Sequence, residues 1–311
     1  MGGISRQDPL EDRDRTVVIA RAVAEHRFVV VFLGCHKNAF DNAPYATKAA
    51  AKQDMPESIQ LLSTDFDGTV HAEFQDPPVP PELVEEIAGL QARGARWVIN
   101  TGRDLSSLLE TLARARLPIW PDYLGLVERE IYVRRGHEYH PCTEWNEACT
   151  KAHADLFARM QPDIPHLTAR IEERFEATLY QDPFSPLCMI ASNNHEADQV
   201  MEQLEAYCAQ VPDLTVVRND IYARFSHARY NKGEVVAEIA RQLAIGREQV
   251  FAAGDHLNDL PMLDGVHAAM VAAPDNAVPE VKALIRKVGG FQATTRWGHG
   301  VAEALRHFAR R

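Results

Sequence analysis

Cysteine, basic charge and long apolar runs are all scarce in this sequence. Five cysteines (Cys35, Cys142, Cys149, Cys188, Cys208) among 311 residues make an odd number. None forms a C-x-x-C pair or has a matching histidine spacing. A disulfide scaffold and a zinc site are therefore not expected, and the thiols read as reduced. Lys and Arg total 33 against 44 Asp and Glu, a formal charge of −11. With no basic stripe or tail, nucleic acid is not an expected partner. No stretch reaches the roughly 18 apolar residues of a membrane span. The best candidate, Phe28–Gly34, is short and follows Glu25, His26 and Arg27. Acidic residues crowd the N-terminal stretch where a secretory leader would be basic and then apolar. There is no internal repeat and no low-complexity tract. The expectation is a cytoplasmic protein with no membrane and no nucleic-acid partner, its oligomeric state open.

What is present is ordinary for a globular chain: 46% hydrophobic and 25% charged residues, with 17 Gly and 18 Pro. The length suits one large domain or two modest ones. Residues 1–57 do not resemble the rest and read as an N-terminal extension. Residues 1–54 read as an appendage from a mis-assigned start, with Met55 as the true one; the alternative, which the run at 28–34 keeps open, is a real extra strand and helix packed on the core. From residue 58 onward apolar strands alternate with amphipathic helices. Ile59–Thr64, Arg96–Asn100, Tyr123–Val127, Val250–Ala253 and Ala268–Ala272 read as strands. Pro80-Pro81 opens a helix that Gly94 stops, and Asp104 caps the next. Further helices are expected over 234–244 and near Val278–Lys287. Short loops between such elements predict an α/β fold with a parallel, doubly wound sheet. Residues 139–226 break the rhythm. A long helix with Cys149, Leu156 and Met160 inward is followed by strand-like runs around a second helix. This stretch reads as an α+β insertion, dividing the core into 58–138 and 227–311.

The strongest chemical signal is Thr64-Asp65-Phe66-Asp67-Gly68-Thr69, placed where an apolar strand ends. Side chains two apart on a strand share a face, so Asp65 and Asp67 present two carboxylates together. They do so at the sheet edge where open α/β folds bind ligands. Adjacent carboxylates repel unless a cation or proton lies between them, and Mg²⁺ suits an oxygen cage. Taken alone, D-x-D-G is a solvated turn as often as a site. Thr101-Gly102-Arg103 also follows a buried strand, and its hydroxyl and amides suit phosphate oxygens or a plain helix cap. Lys232-Gly233 precedes a helix, where the lysine could neutralise phosphate. Gly254-Asp255-His256-Leu257-Asn258-Asp259 follows another apolar strand, with acids that complete the oxygen cage.

In this order the four motifs resemble those of the haloacid dehalogenase superfamily of phosphotransferases, and the resemblance runs from residue 58 to the end. The insertion is similar to the C2-type cap of the Cof-like, IIB branch. Within that branch the sucrose-phosphate phosphatase group carries a Gly-Thr-Glu-Ile-Tyr-like segment; this chain has Glu128-Arg129-Glu130-Ile131-Tyr132. The departure speaks against sucrose phosphate itself. The resemblance implies a Mg²⁺-dependent phosphatase acting on a small phosphorylated substrate, such as a sugar phosphate. Asp65 would be the nucleophile and Asp67 the acid–base. Asp65, Asp67, Asp255 and Asp259 would surround the metal, and Thr101, Gly102, Lys232 and Asn258 would bind phosphate. Arg129, Arg134, Arg135, Arg224 and His227 are candidates for reading the rest of the substrate, or are exposed charges. His137 and His140 have a ligand-like spacing but are expected on a solvated hairpin. The alternatives are a phosphomutase of the same superfamily and a non-catalytic phospho-binding module. The order of the motifs, with the lysine far downstream of Thr101 and before the Gly-Asp motif, argues against a receiver-type switch.

Overall fold

A computed structural model describes residues 59–309. The extension expected over 1–57 lies outside the described residues. Residues 59–134 and 139–309 belong to one compact unit, which carries the candidate site.

In chain order the first part runs β1 (Leu61–Thr64), α1 (Pro81–Ala92), β2 (Arg96–Asn100), α2 (Leu105–Ala115), β3 (Tyr123–Leu126), β4 (Glu130–Arg135) and β5 (Glu138–Pro141). The middle part holds α3 (Thr143–Met160), α4 (Ile164–Glu172), β6 (Thr178–Asp182), β7 (Ser185–Ile190), α5 (Asn194–Cys208), β8 (Leu214–Asn219) and β9 (Tyr222–His227). The last part adds α6 (Lys232–Leu243), β10 (Val250–Ala253), α7 (Leu260–Leu263), β11 (Met270–Ala273), α8 (Pro279–Val288), β12 (Phe291–Gln292) and α9 (Trp297–Ala309).

The larger sheet has the order β12-β11-β10-β1-β2-β3-β4-β5. From β12 to β3 every pairing is parallel. The parallel sheet expected is thus present, with one antiparallel pairing, β3–β4, added at its side. Residues 127–129 are too few for the crossover that a parallel return needs, so the chain turns back as a hairpin.

Strand alternation divides the core into two layers. Leu62, Trp97, Ile99 and Phe251 face one way, onto Leu83 and Ile87 of α1, Leu108 of α2 and Leu305 of α9. Leu61, Val98, Val250 and Ala252 face the other way, onto Val235 and Ile239 of α6 and Val281 and Ile285 of α8. All these side chains are buried. Each such aliphatic side chain contributes about 1.5–3 kcal/mol by leaving water. Both faces being covered explains why β1, β2 and β10 read as continuous apolar runs rather than alternating ones.

The insertion builds a second, four-stranded sheet, order β6-β7-β9-β8, with antiparallel pairing throughout. Leu187, Met189, Ala223 and Phe225 of this sheet pack on Leu156 and Met160 of α3 and on Val200 and Leu204 of α5. It therefore has a hydrophobic core of its own. No described helix is long and apolar enough to cross a membrane.

Candidate active site

Register brings the motifs to one edge. Thr64 of β1 lies opposite Ile99 of β2 and Ala253 of β10. The residues just beyond, Asp65, Thr101 and Asp255, therefore leave the carboxyl ends of three neighbouring strands. Local chemistry then shapes each loop. Gly68 takes φ +80°, and a Cβ there would lie 2.4 Å from Asp255 Oδ2. Asn231 caps α6 by accepting from the amides of Gly233 and Glu234, which fixes Lys232 in the first turn. A Cβ on Gly233 would meet the Pro261 carbonyl at 2.2 Å. That close approach is why a glycine follows the lysine.

Lys232 is fully buried and donates to Asp65 Oδ1 and to Asp259 Oδ1, each at 2.6 Å. Burial alone would lower its ammonium, but the carboxylates of Asp259 and Asp65 outweigh that and hold it above the ordinary range. The second oxygen of Asp259 accepts from the amides of Asp255 and His256, at 2.8 and 2.9 Å. Both oxygens of Asp259 are thus committed, and the residue braces the loop. Asp65 is pushed well up by burial and by its acidic neighbours, against the pull of Lys232. Asp255 rises to about 7, through burial and the nearby Asp259. It accepts from the Thr69 hydroxyl at 2.9 Å and the Asn276 amide at 3.1 Å.

Asp67 stands at the rim, half-exposed. Arg103 grips it with two hydrogen bonds of 2.6 and 2.8 Å, and His71 lies 3.7 Å away. Arg103 is in turn held by Ser107 and Thr111. Thr101 is buried, and its hydroxyl accepts from the Arg103 amide at 3.2 Å. Asn258 donates its amide to Glu128 Oε1 at 2.9 Å, and a Cβ on Gly102 would come within 3.3 Å of that same oxygen.

The structure thus brings together Asp65, Asp255, Asp259 and Lys232 by direct or near contact, with Asp67 beside them on the same loop. Thr101, Gly102 and Asn258 converge on the far side, around Glu128. Among the described residues the group of His, Cys, Asp or Glu side chains able to share a cation is Asp65, Asp255 and Asp259, with ligand atoms within 4.8 Å of one another. His137 and His140 join no such group. Arg129 and Arg224 are buried, whereas Arg134 and His227 are only partly so and Arg135 is exposed. Two residues went unnoticed in the sequence: Asn276, whose amide also donates to the Gly68 carbonyl at 2.8 Å, and His71. Thr69 and Arg103 were in view only as parts of their motifs. His71 lay within reach because it follows the D-x-D-G-T turn by two residues.

Buried acids and a buried lysine at the carboxyl edge of an α/β sheet suit hydrolytic or group-transfer chemistry. Residues 155–305 match the family model described as haloacid dehalogenase-like hydrolase. Mannosylfructose-phosphate phosphatase of Agrobacterium fabrum is 27% identical over 269 residues, spanning 80% of this chain and 97% of that protein. A phosphoglycolate phosphatase of Methanopyrus kandleri is 27% identical over 254 residues, spanning 79% and 95%. The sucrose-phosphatase of Synechocystis, solved with sucrose and phosphate, superposes with a TM-score of 0.61 at 23% identity, covering 81% of this chain and 98% of that one. Over residues 155–305 the chain is thus similar to the haloacid dehalogenase-like hydrolases, and it is a phosphatase.

Proposed function

We propose that this phosphatase is Mg²⁺-dependent and hydrolyses a small phosphorylated metabolite of the sugar-phosphate kind through an aspartyl-phosphate on Asp65. The observation that supports this most is the fully buried Lys232 bonded at 2.6 Å to both Asp65 and Asp259. A cation so placed holds the nucleophilic carboxylate in one rotamer and offsets charge on an incoming phosphoryl group.

In this reading Asp65 attacks phosphorus, and the ester P–O bond breaks as the new bond forms. The departing alkoxide takes a proton from the Asp67 carboxyl. Asp67 then removes a proton from the water that attacks the acyl-phosphate, releasing inorganic phosphate and restoring Asp65. Asp67 is free for both duties only when its oxygens leave Arg103, whose double hydrogen bond holds them in the structure described. Thr101, Gly102, Lys232 and Asn258 would hold the transferring oxygens.

The acidic cluster fits a hard divalent ion. Asp65 and Asp255 are both pushed up toward protonation, by burial first and then by the charge of neighbouring carboxylates, Asp259 foremost. A cation between them removes that penalty. Asp65, the backbone carbonyl of Asp67, and Asp255 would hold it directly and Asp259 from behind; when bound it would offset charge on the phosphoryl oxygens. Residues 58–138 and 227–311 serve as the catalytic core in this reading. Residues 139–226 serve as a C2-type cap that excludes water and meets the rest of the substrate. The relatives' names, mannosylfructose phosphate and phosphoglycolate, support a small phosphomonoester as the substrate class.

The test is phosphate release from phosphorylated sugars, sugar acids, polyols and nucleotides, with Mg²⁺ and with EDTA. Metal-dependent release confined to one chemical class is expected. No release with any compound from folded protein would contradict hydrolysis and favour a mutase or a binding role.

A further inference from the structure

Two buried guanidinium groups lie where the insertion meets the core, and among the described residues each keeps an N–H without a partner. Arg129, just after β3, donates through Nη2 to the Phe184 carbonyl in the β6–β7 turn at 2.8 Å. Its Nη1 is buried and bonds nothing. Among the described residues it has no ion pair, although burial places it almost wholly out of water. Arg224 of β9 gives one hydrogen bond of 3.2 Å to Glu128 Oε2, and its Nε is likewise buried and unpartnered. Beside them Asn258, whose amide reaches Glu128 Oε1, leaves its own carbonyl oxygen buried and unused.

The other acids nearby do not fill the gap. Asp182 spends Oδ1 on the amides of Phe184 and Ser185, and Glu130 accepts from the Tyr132 hydroxyl at 3.3 Å. Neither forms an ion pair with Arg129 or Arg224 among the described residues. A buried guanidinium without an anion is strongly unfavourable, and a buried orphan donor adds to that. Charge at this position is also retained against the backbone. Val127 and Glu128 take φ +44° and +67°, conformations that favour glycine. Side chains other than Gly or Asn persist there when the surroundings require them. Here the Glu128 carboxylate ties Arg224 to Asn258 and thereby sets Arg224 beside the phosphate-binding motif.

We propose that Arg129 and Arg224 read a second anionic group on the substrate, so that the preferred substrate is a phosphomonoester carrying another oxyanion, a carboxylate or a second phosphate. The planar fork of a guanidinium suits either group, and both unpartnered N–H groups supply it. The Asn258 oxygen would accept from a substrate hydroxyl. This specificity rests on the phosphatase reading above.

Matched substrate pairs test it: 3-phosphoglycerate against glycerol 3-phosphate, 6-phosphogluconate against glucose 6-phosphate, and fructose 1,6-bisphosphate against fructose 6-phosphate. The anionic member of at least one pair is expected to have a kcat/KM at least tenfold higher, and which pair responds separates carboxylate from phosphate. In Arg129→Gln that ratio should fall tenfold or more, and Arg129→Lys should restore part of it. A purely structural role would lower both members alike and leave the ratio standing. Equal or better use of the neutral member in every pair overturns the proposal, as does a ratio that survives Arg129→Gln. If Arg129→Gln does not fold, the wild-type ratios decide. Should even p-nitrophenyl phosphate release no phosphate, the phosphatase reading fails separately. Calorimetric binding to Asp65→Asn then decides this point: the anionic member binding at least tenfold tighter in one pair upholds the proposal, and equal binding overturns it.

Discussion

Two buried cationic centres lie side by side in this molecule and are satisfied very differently. At the edge of the large sheet, Lys232 is matched by two carboxylates at 2.6 Å, and the second of these is itself held by two backbone amides. Where the insertion meets the core, Arg224 has one carboxylate contact of 3.2 Å and Arg129 has none, and both keep unused N–H groups. The first centre is complete before any substrate arrives, as a site built to hold a nucleophile in place should be. The second is incomplete, as a site that waits for a ligand's charge should be.

Disabling the complete centre should give the largest effects. Asp65→Asn should leave the circular dichroism spectrum and melting temperature close to those of wild type, yet lower phosphate release by about 10⁴-fold or more. Retained turnover would break the account of that centre. Lys232→Met strands two buried carboxylates, and breaking such a buried pair costs roughly 3–5 kcal/mol. Urea denaturation should show that loss, and a loss below 1 kcal/mol would mean that the cluster is not the closed unit described.

The insertion offers a milder test through His153. It is buried in α3, its Nδ1 facing the Cys149 carbonyl at 2.8 Å and its Nε2 the Ser226 hydroxyl at 3.2 Å. Burial, with the charge of Arg129 next, drops its pKa from 6.5 to about 3. The unfolded chain therefore binds a proton below pH 6.5 that the folded chain refuses. Stability contributed by the neutral ring is present above pH 6.5 and falls as the pH drops toward 3. The slope from this group reaches about 1.4 kcal/mol per pH unit. His153→Gln should flatten the acid limb of a melting temperature–pH profile, and an unchanged limb would contradict the assignment. The smallest effect belongs to the partly exposed pair Arg306–Glu86 between α9 and α1. Arg306→Ala should cost less than about 1 kcal/mol in the same denaturation experiment.

The same contrast explains what could be read in advance. β2 and β10 were legible to the residue, because buried parallel strands are short apolar runs bounded by loops. The motifs were legible because strand ends and glycines mark where a carboxylate can stand. Other elements carry conflicting local signals. α9 contains Gly298 and Gly300, poor helix formers that are tolerated because Pro80 and Leu83 press against the first and Pro274 against the second. α4 is nine residues long with Pro165 in its first turn, and β4 carries Glu130, Arg134 and Arg135. Burial of Arg129 and Arg224 was not legible at all. It depends on β9 folding back over the β3–β4 turn, with nearly a hundred residues between the partners, and no local pattern encodes that.

The most direct test of the central claim is mass spectrometry of enzyme quenched in acid during turnover with Mg²⁺ and the best substrate of the panel. The account predicts a phosphoryl adduct on the peptide that contains Asp65, absent in Asp65→Asn. An adduct on another residue, or turnover with no adduct under conditions that preserve acyl-phosphates, would contradict it.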